Sequence, residues 1–122
     1  MQKSIKLYKL FRQELDNIYV PEWLSNLDIT PIKYKGKTIG ILCTKDAEYI
    51  DCLYILPEYR RKGLATKAVL KWYEKNKTND VRLHIIHKNI PAQKFWRSVF
   101  RLIFIEGNEL EGLYRVRGVN NG

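Results

Sequence analysis

The spacing of apolar residues predicts that the chain begins with a helix. Apolar side chains recur at helical intervals from Leu7 to Ile18, which is typical of an amphipathic helix. Pro21 follows, and proline rarely continues a helix, so we expect the helix to end before it. The next stretch, VPEWLSNLDITP, is expected to form a turn or a short second helix.

From Ile32 onward the spacing becomes that of extended chain. IKYKGKTIGILCT predicts two strands joined at Lys35 and Gly36. AEYIDCLYIL predicts a third strand after a turn at Lys45 and Asp46. The simplest arrangement of three such strands is an antiparallel meander.

Helices and strands alternate in the second half of the chain. Apolar residues from Leu64 to Trp72 share one face of a helix that should stop near NKTND. VRLHII predicts a strand. Asn89 is the predicted N-cap of the next helix, and Pro91 lies in its first turn. RLIFIEG and GLYRVRG predict a hairpin at the end of the chain. The predicted order is therefore helix, three strands, helix, strand, helix and two strands, in a single domain spanning residues 1–122.

Composition narrows the class of protein. Apolar residues make up 45% of the 122 residues and charged residues 29%, as in an ordinary soluble domain. No run approaches the roughly 20 apolar residues of a membrane span, and the N-terminus lacks the apolar core of a signal peptide. We therefore expect a cytoplasmic protein without a membrane partner. Cys43 and Cys52 lie in apolar runs without C-x-x-C spacing, which favours two buried thiols over a disulfide.

The net charge of +9 favours an anionic partner. Charge alone does not choose between nucleic acid, a membrane surface and a phosphorylated small molecule. The sequence has neither an RNA-reading aromatic motif nor a basic recognition helix. A nucleic-acid partner is therefore disfavoured.

The stretch LYILPEYRRKGLAT offers a more local anion site. An apolar strand leads into Arg60, Arg61 and Lys62, and a helix is predicted to start directly after Gly63. The first N–H groups of a helix have no acceptor within it and attract anions such as pyrophosphate. A solvated basic turn explains the same residues, and the spacing R-x-x-G-x-A is weak by itself.

Two blocks together resemble a known family. LYILPEYRRKGLATKAVLKWYEK resembles the acetyl-CoA-binding signature of the GNAT superfamily of N-acetyltransferases, and LHIIHKNIPAQKFWRSV is similar to the later segment of that family. The blocks occur in the family's order, about 30 residues apart. The resemblance implies an α+β, three-layer GNAT-like fold, with flanking helices on a mixed central sheet of about six to seven strands.

The resemblance also implies an activity. It implies an N-acetyltransferase that uses acetyl-CoA as co-substrate, needs no metal, and transfers acetyl to a primary amine by direct attack on the thioester. The acceptor, a small molecule or a protein lysine, stays open, as does homodimer formation. A non-catalytic acyl-CoA-binding or protein-interaction module of the same fold is the alternative. Carried over by position, the cofactor-binding residues are Leu53, Tyr54, Ile55, Arg60, Arg61, Lys62, Gly63, Leu64, Ala65, Thr66, Asn89 and Trp96.

Three of these residues receive specific roles from the resemblance. The Leu53 N–H is the candidate donor to the thioester oxygen, and Asn89 meets the pantetheine or caps its helix. Trp96 stands where many members keep a tyrosine near the sulfur. Its indole N–H only donates, so we expect Trp96 to form a wall of the thioester tunnel.

The catalytic groups are less well defined. An alkyl ammonium has a pKa near 10, so a base or a water chain must remove its proton. Tyr49 stands where some members align a glutamate base. Strand alternation would place Asp51 on the same face as Tyr49 and Leu53, so Asp51 is the candidate base and Tyr114 the candidate acid. The alternative for Asp51 is a strand carboxylate paired with a lysine, and the alternative for Tyr114 is an ordinary strand tyrosine without a catalytic role.

Further residues of the second half carry hypotheses of their own. The hairpin glutamates Glu106, Glu109 and Glu111 are proposed to attract a cationic amine, with solvated surface charge as the alternative. His84 and His87 lie on opposite faces of an extended strand, which argues against a shared metal. Phe100 and Arg101 occupy the place of the family's Gly-Phe turn, which leaves the end of that helix undefined.

Overall fold

The computed structural model describes residues 6–10 and 27–120. Residues 6–10 are the described part of helix α1, and the rest of the predicted first helix, with the stretch up to residue 26, lies outside the described residues. The remaining order confirms the predicted one. The elements are β1 (Asp28–Tyr34), β2 (Lys37–Lys45), β3 (Tyr49–Ile55), α2 (Leu64–Asn76), β4 (Arg82–Ile86), α3 (Ile90–Val99), β5 (Phe100–Gly107) and β6 (Glu111–Val119).

Strands β1 to β3 form the predicted antiparallel meander. Lys35 and Gly36, with φ angles of 51° and 79°, supply the two left-handed residues that the tightest hairpin turns require. β1 begins at Asp28, before the predicted Ile32, and so includes Pro31. An edge strand such as β1 tolerates proline because one side of it needs no ladder hydrogen bonds.

The six strands form one mixed sheet in the order β1-β2-β3-β4-β6-β5. β3 and β4 are parallel, and the other neighbouring strands are antiparallel. The sheet and its flanking helices confirm the predicted α+β fold. Within the described ranges, no helix is long and apolar enough to cross a membrane.

Apolar residues pack against both faces of the sheet. The larger core includes Val69 and Tyr73 of α2 and Val99 of α3. The smaller core lies on the other face and includes Leu7 and Tyr8 of α1. The helices therefore form layers on both sides of the sheet, as the three-layer prediction expected.

The two cysteines are free thiols in the smaller core, as predicted. Cys43 and Cys52 stand directly opposite each other on β2 and β3. Their mutual hydrogen bond and burial raise the pKa of the Cys52 thiol. Because the reactive form of cysteine is the thiolate, this environment keeps the thiol unreactive.

A β-bulge interrupts β3 at Asp51. Cys43 of β2 is opposite Cys52, whereas the next residue, Thr44, is opposite Ile50. Asp51 is therefore the extra residue that has no counterpart on β2. A bulge of this kind shifts the alternation of side chains along the strand.

The bulge places the two ends of β3 on different faces. Ile50 packs in the larger core, but Cys52 packs in the smaller one, and Leu53 again contacts the larger core. Tyr49 and Leu53 therefore lie on opposite faces. The expectation that Asp51 shares one face with both of them is wrong, because it assumed unbroken alternation.

Helix α3 passes into β5 without an intervening turn. Phe100 has extended φ and ψ angles of −125° and 151°, and its N–H donates to the carbonyl of Trp96. Its ring is 1% exposed and lies 4.9 Å from that of Tyr73 and 6.2 Å from that of Trp96. The helix end that the sequence left undefined is thus fixed by burial of an aromatic ring.

Replacing Phe100 by alanine should lower the free energy of unfolding by about 3–5 kcal/mol, because it leaves a cavity in the larger core. Phe104 on the same strand is 56% exposed and serves as the matched control, for which a loss of about 1 kcal/mol or less is expected. Urea unfolding followed by circular dichroism measures both. Equal losses would contradict the assigned packing.

Candidate functional site

The strongest candidate for a site is the gap between the two parallel strands. β3 and β4 pair only at Tyr49 with Arg82 and at Ile50 with Leu83. Beyond these pairs the carboxyl ends of the strands diverge. A cavity of about 810 Å³ fills the gap, within the usual range for small-molecule sites.

The cavity brings the predicted cofactor residues together. Every one of them lines it except Lys62. It is also lined by residues that the sequence did not assign to the cofactor, namely Tyr49, Ile50, Asp51, Cys52, Tyr59, Leu83, His84, Ile85, Ile86, Pro91, Ala92, Phe95 and Glu111. These include residues of both core faces, so the cavity crosses the sheet.

Backbone groups of β3 point into the gap. The Leu56 N–H donates to the Ile39 carbonyl of β2 at 2.8 Å, and backbone direction alternates along an antiparallel pair. The N–H and C=O groups of Leu53 and Ile55 therefore face β4. Arg60 approaches from that side, since its Nε donates to the Ile55 carbonyl at 2.8 Å.

The N-terminus of α2 forms one end of the cavity. Gly63, with φ of 75°, is the N-cap and makes no side-chain cap hydrogen bond, and Arg61 before it has φ of 64°. The Lys67 N–H donates to the Gly63 carbonyl at 3.1 Å. The preceding N–H groups, Leu64–Thr66, have no acceptor within the helix, and all three residues line the cavity. This end is suited to an anion.

Helix α3 forms a wall. Asn89 caps the helix as predicted, because its Oδ1 accepts a hydrogen bond from the Ala92 N–H at 3.1 Å. The Trp96 ring stacks on Phe100 with an angle of 7° between the planes and meets Phe95 at 5.0 Å. These contacts place the Trp96 ring at the wall of the cavity.

A cluster of polar side chains lies at the other end of β3. The Tyr49 hydroxyl is 2.7 Å from Nδ1 of His84, and Nε2 of His84 is 4.0 Å from a carboxylate oxygen of Glu111. Leu83 and Ile85, the neighbours of His84, are buried in the larger core. His84 therefore points to the opposite face, away from α2 and α3.

The surroundings of Tyr49 keep its hydroxyl protonated. Burial, together with the negative charges of Asp51 and Glu111, raises the pKa of Tyr49 from 10.0 to about 12. A neutral phenol is a hydrogen-bond donor, and Nδ1 of a neutral imidazole can accept. The geometry thus fits a hydrogen bond from Tyr49 to His84.

Of the two predicted catalytic residues, Asp51 lies at the cavity and Tyr114 does not. Asp51 lines the cavity at the bulge. Tyr114 is buried in the larger core, with its ring 5.6 Å from that of Phe104 and under the guanidinium of Arg97 at 5.3 Å. Tyr114 is not among the residues that line the cavity. The predicted acid therefore lies outside the candidate site.

The remaining predicted site residues, the histidines and the hairpin glutamates, do not come together at one position. Ring nitrogen Nε2 of His87 lies 3.0 Å from the Asn108 carbonyl, so the two histidines contact different partners. Of the three hairpin glutamates, only Glu111 lines the cavity. In the part of the chain that the structure describes, no group of three or more His, Cys, Asp or Glu residues is placed to hold a metal ion.

Known proteins resemble this chain both in sequence and in fold. A sequence model described as the Acetyltransferase (GNAT) family matches residues 2–100. The chain belongs to the GNAT acetyltransferase family. No curated protein matches this GNAT chain.

Solved structures share the GNAT fold of this chain. A Bacillus subtilis acetyltransferase in complex with CoA is 13% identical, with a TM-score of 0.66 over 95% of this chain and 91% of that one. A Staphylococcus aureus N-acetyltransferase is 17% identical, with a TM-score of 0.64 over 91% of each chain. Naa50 of Arabidopsis thaliana, in complex with the bisubstrate analogue CoA-Ac-MVNAL, is 17% identical, with a TM-score of 0.61 over 94% and 93%.

The raised pKa of Tyr49 predicts a loss of stability at high pH. Below pH 10 the phenol is protonated in both the folded and the unfolded state. Between pH 10 and 12 the unfolded chain releases this proton first, so the free energy of unfolding should fall. Tyr49→Phe should lose less stability over this interval, as measured by urea unfolding. A difference between variant and wild type that stays constant from pH 9 to 12 would contradict the assignment.

Proposed function

We propose that this chain is an acetyl-CoA-dependent N-acetyltransferase that transfers acetyl to a primary amine by direct attack on the thioester. The observation that carries the proposal is the gap between β3 and β4. At one end it offers uncapped N–H groups of α2, and along its side it offers the backbone of Leu53 and Ile55.

Each part of the cavity suits one part of acetyl-CoA. The first amides of α2, with Arg61 and Lys62 in the same loop, provide positive potential for the pyrophosphate. Backbone groups facing the gap suit the amides of the pantetheine arm. The Leu53 N–H is then the donor for the thioester oxygen, where negative charge develops during attack. The similar Bacillus subtilis acetyltransferase is in complex with CoA, which supports the choice of cofactor.

The amine approaches from the other face of the sheet, where Tyr49 and His84 lie. Transfer requires a neutral amine, a polarised carbonyl and a leaving thiolate. A thiol has a pKa of about 8.5, so the sulfur can leave without a strong acid. This agrees with Trp96, which has no titrating hydroxyl, as the wall near the sulfur.

The proposed acceptor class has two members. The bisubstrate analogue of the similar Naa50 structure includes a peptide, and another similar structure is a streptothricin acetyltransferase from Bacillus anthracis with acetyl coenzyme A. We therefore keep both a small amine and an amine of a peptide or protein as candidate acceptors. We also infer that residues 1–122 act as a single domain in the cytoplasm.

Trp96 also favours a second candidate function. With no hydroxyl beside the sulfur, a module of this fold could bind acyl-CoA without efficient transfer. Release of the CoA thiol in the presence of amines separates the two functions. Acetyl-CoA binding without amine-dependent thiol release supports the non-catalytic module.

The cofactor assignment predicts a selective effect of replacing Gly63 by valine. Gly63 and Gly36 have φ angles of 75° and 79°, and no atom lies within 4 Å of a Cβ added at either. Both Gly63→Val and Gly36→Val should therefore lose about 1–2 kcal/mol of stability from left-handed backbone strain. Only Gly63→Val places a side chain at the anion end of the cavity.

Isothermal titration with acetyl-CoA measures the difference. Gly63→Val should weaken binding by about tenfold or more, which corresponds to about 1.4 kcal/mol, and Gly36→Val should bind like the wild type. Equal affinities of the two variants would contradict the site. Wild-type stabilisation by acetyl-CoA no greater than that by the same concentration of ATP would contradict the cofactor.

A further inference from the structure

Strand β5 has an outer edge that no described strand covers. The sheet ends at β5 on one side and at β1 on the other. An edge strand presents a row of backbone N–H and C=O groups without partners, which makes it a template for a further strand. Three consecutive large apolar residues of β5, namely Ile103, Phe104 and Ile105, are exposed. The edge is thus both open and apolar.

The two edges of the sheet differ in how they resist pairing with another chain. β1 contains Pro31 and Lys33, and proline and lysine are the residues by which edge strands commonly avoid such pairing. β5 contains neither residue type. Its own bulge, at Ile105, lies towards the end of the strand. The part of β5 that precedes the bulge is free to accept a neighbour.

The side chains of β5 alternate between the two faces of the sheet. Leu102 and Phe104 stand opposite residues of the larger core, on the face that α2 and α3 cover. Arg101 and Ile103 therefore point to the other face. Glu106 joins them there, because the bulge shifts the alternation by one residue. A cation and an anion thus flank the apolar stretch on the same face.

We propose that two copies of this chain associate by antiparallel pairing of their β5 edges about a twofold axis at Ile103. In this register Ile103 meets Ile103 of the second copy, and Leu102 meets its Phe104. Arg101 stands opposite the bulge of the second copy, where Glu106 points to the same face. The axis repeats each contact, so the interface contains two pairs of opposite charge beside a continuous apolar row.

The alternation of side chains selects this register. Residues that stand opposite each other in an antiparallel pair share a face, and such pairs stabilise a sheet when their charges are opposite. A shift by one residue would set Ile103 against Phe104, which points to the other face. A shift by two residues would keep the faces but set a charged side chain against an apolar one.

Arg101 and Glu106 have no competing ion pair. Neither pairs with another charged group among the described residues, and both are exposed. The net charge of +9 makes two copies repel each other at long range. Attraction must therefore come from the edge itself, through its apolar row and its two local pairs of opposite charge.

The pairing leaves the candidate site accessible. β6 lies between β5 and β4 in the sheet, and no residue of β5 lines the cavity. Two copies joined at β5 would form one continuous sheet with both cavities open. The inference therefore stands independently of the proposed function, and its test needs no substrate.

Reversal of charge tests the register. Arg101→Glu puts carboxylates on both sides of each contact, and Glu106→Arg puts guanidinium groups there, so neither variant should associate with itself. A mixture of the two variants restores opposite charges at both contacts, so mixed dimers should form. The controls are Lys71→Glu on α2 and Glu109→Arg in the turn between β5 and β6, which change the net charge equally away from the paired edge.

Sedimentation velocity at concentrations up to about 500 µM, in about 0.15 M salt, measures the association. The wild type should form dimers with a Kd of about 1–100 µM, since one strand edge is a small interface. Each single reversal should raise the Kd by about tenfold or more, and the controls should change it by less than about threefold. The equimolar mixture should associate about as well as the wild type. Circular dichroism should show the same fold in every variant, because the replaced side chains are exposed.

Three outcomes would overturn the inference. The first is a wild type that stays monomeric throughout this range. The second is single reversals that associate as well as the wild type, or a mixture that associates no better than its components, since another surface would then join the copies. The third is assemblies larger than a dimer, because pairing of β5 with β1 of the next copy continues without closing.

Discussion

The early end of the pairing between β3 and β4 is the constraint on which the site depends. After two residue pairs the strands separate, and the backbone groups of Leu53 and Ile55 face the gap without a neighbouring strand. A buried polar group that lacks a partner costs about 1–3 kcal/mol. Arg60 offsets part of this cost at the Ile55 carbonyl. A ligand with amide groups along its length would offset more, so the open gap favours binding of an extended polar molecule.

The bulge at Asp51 has an equally large effect on what the gap contains. Without the extra residue, Tyr49 would lie on the same face as Leu53 and beside the helices. With it, the hydroxyl meets His84 on the face away from α2 and α3. One inserted residue thus separates the residues proposed for the cofactor from those proposed for the acceptor. A bulge beside a functional site is a common device for redirecting a side chain.

Much of the fold could be predicted because its signals are local. Helical spacing, the turn at Lys35 and Gly36, and the Asn89 cap each depend on residues within one turn of one another. The residues that the resemblance assigns to the cofactor could be named for a similar reason, since they lie in two continuous blocks, and all but Lys62 line one cavity. The bulge was not, because it is a property of the register between β2 and β3, which a single strand does not display.

The polar cluster escaped prediction because it depends on contacts between distant segments. Tyr49 and His84 are 35 residues apart and meet only through the parallel pairing of their strands. Glu111 was grouped with its hairpin neighbours, although it begins β6 opposite Ile86 of β4, whereas Glu106 lies on β5 and Glu109 in the turn between the two strands. Tyr114 was named as the candidate acid from its position on the last strand, but its ring packs in the larger core over Gly112, which has no side chain in the way.

A cavity that crosses the sheet has a consequence for the order of events. Two ligands that enter from opposite faces do not compete for one entrance, and both can be present at once. In the proposed transfer the acetyl group moves directly from one ligand to the other, so no side chain carries it as a covalent intermediate. Steady-state kinetics of such a transfer follow a ternary complex rather than alternating substitution.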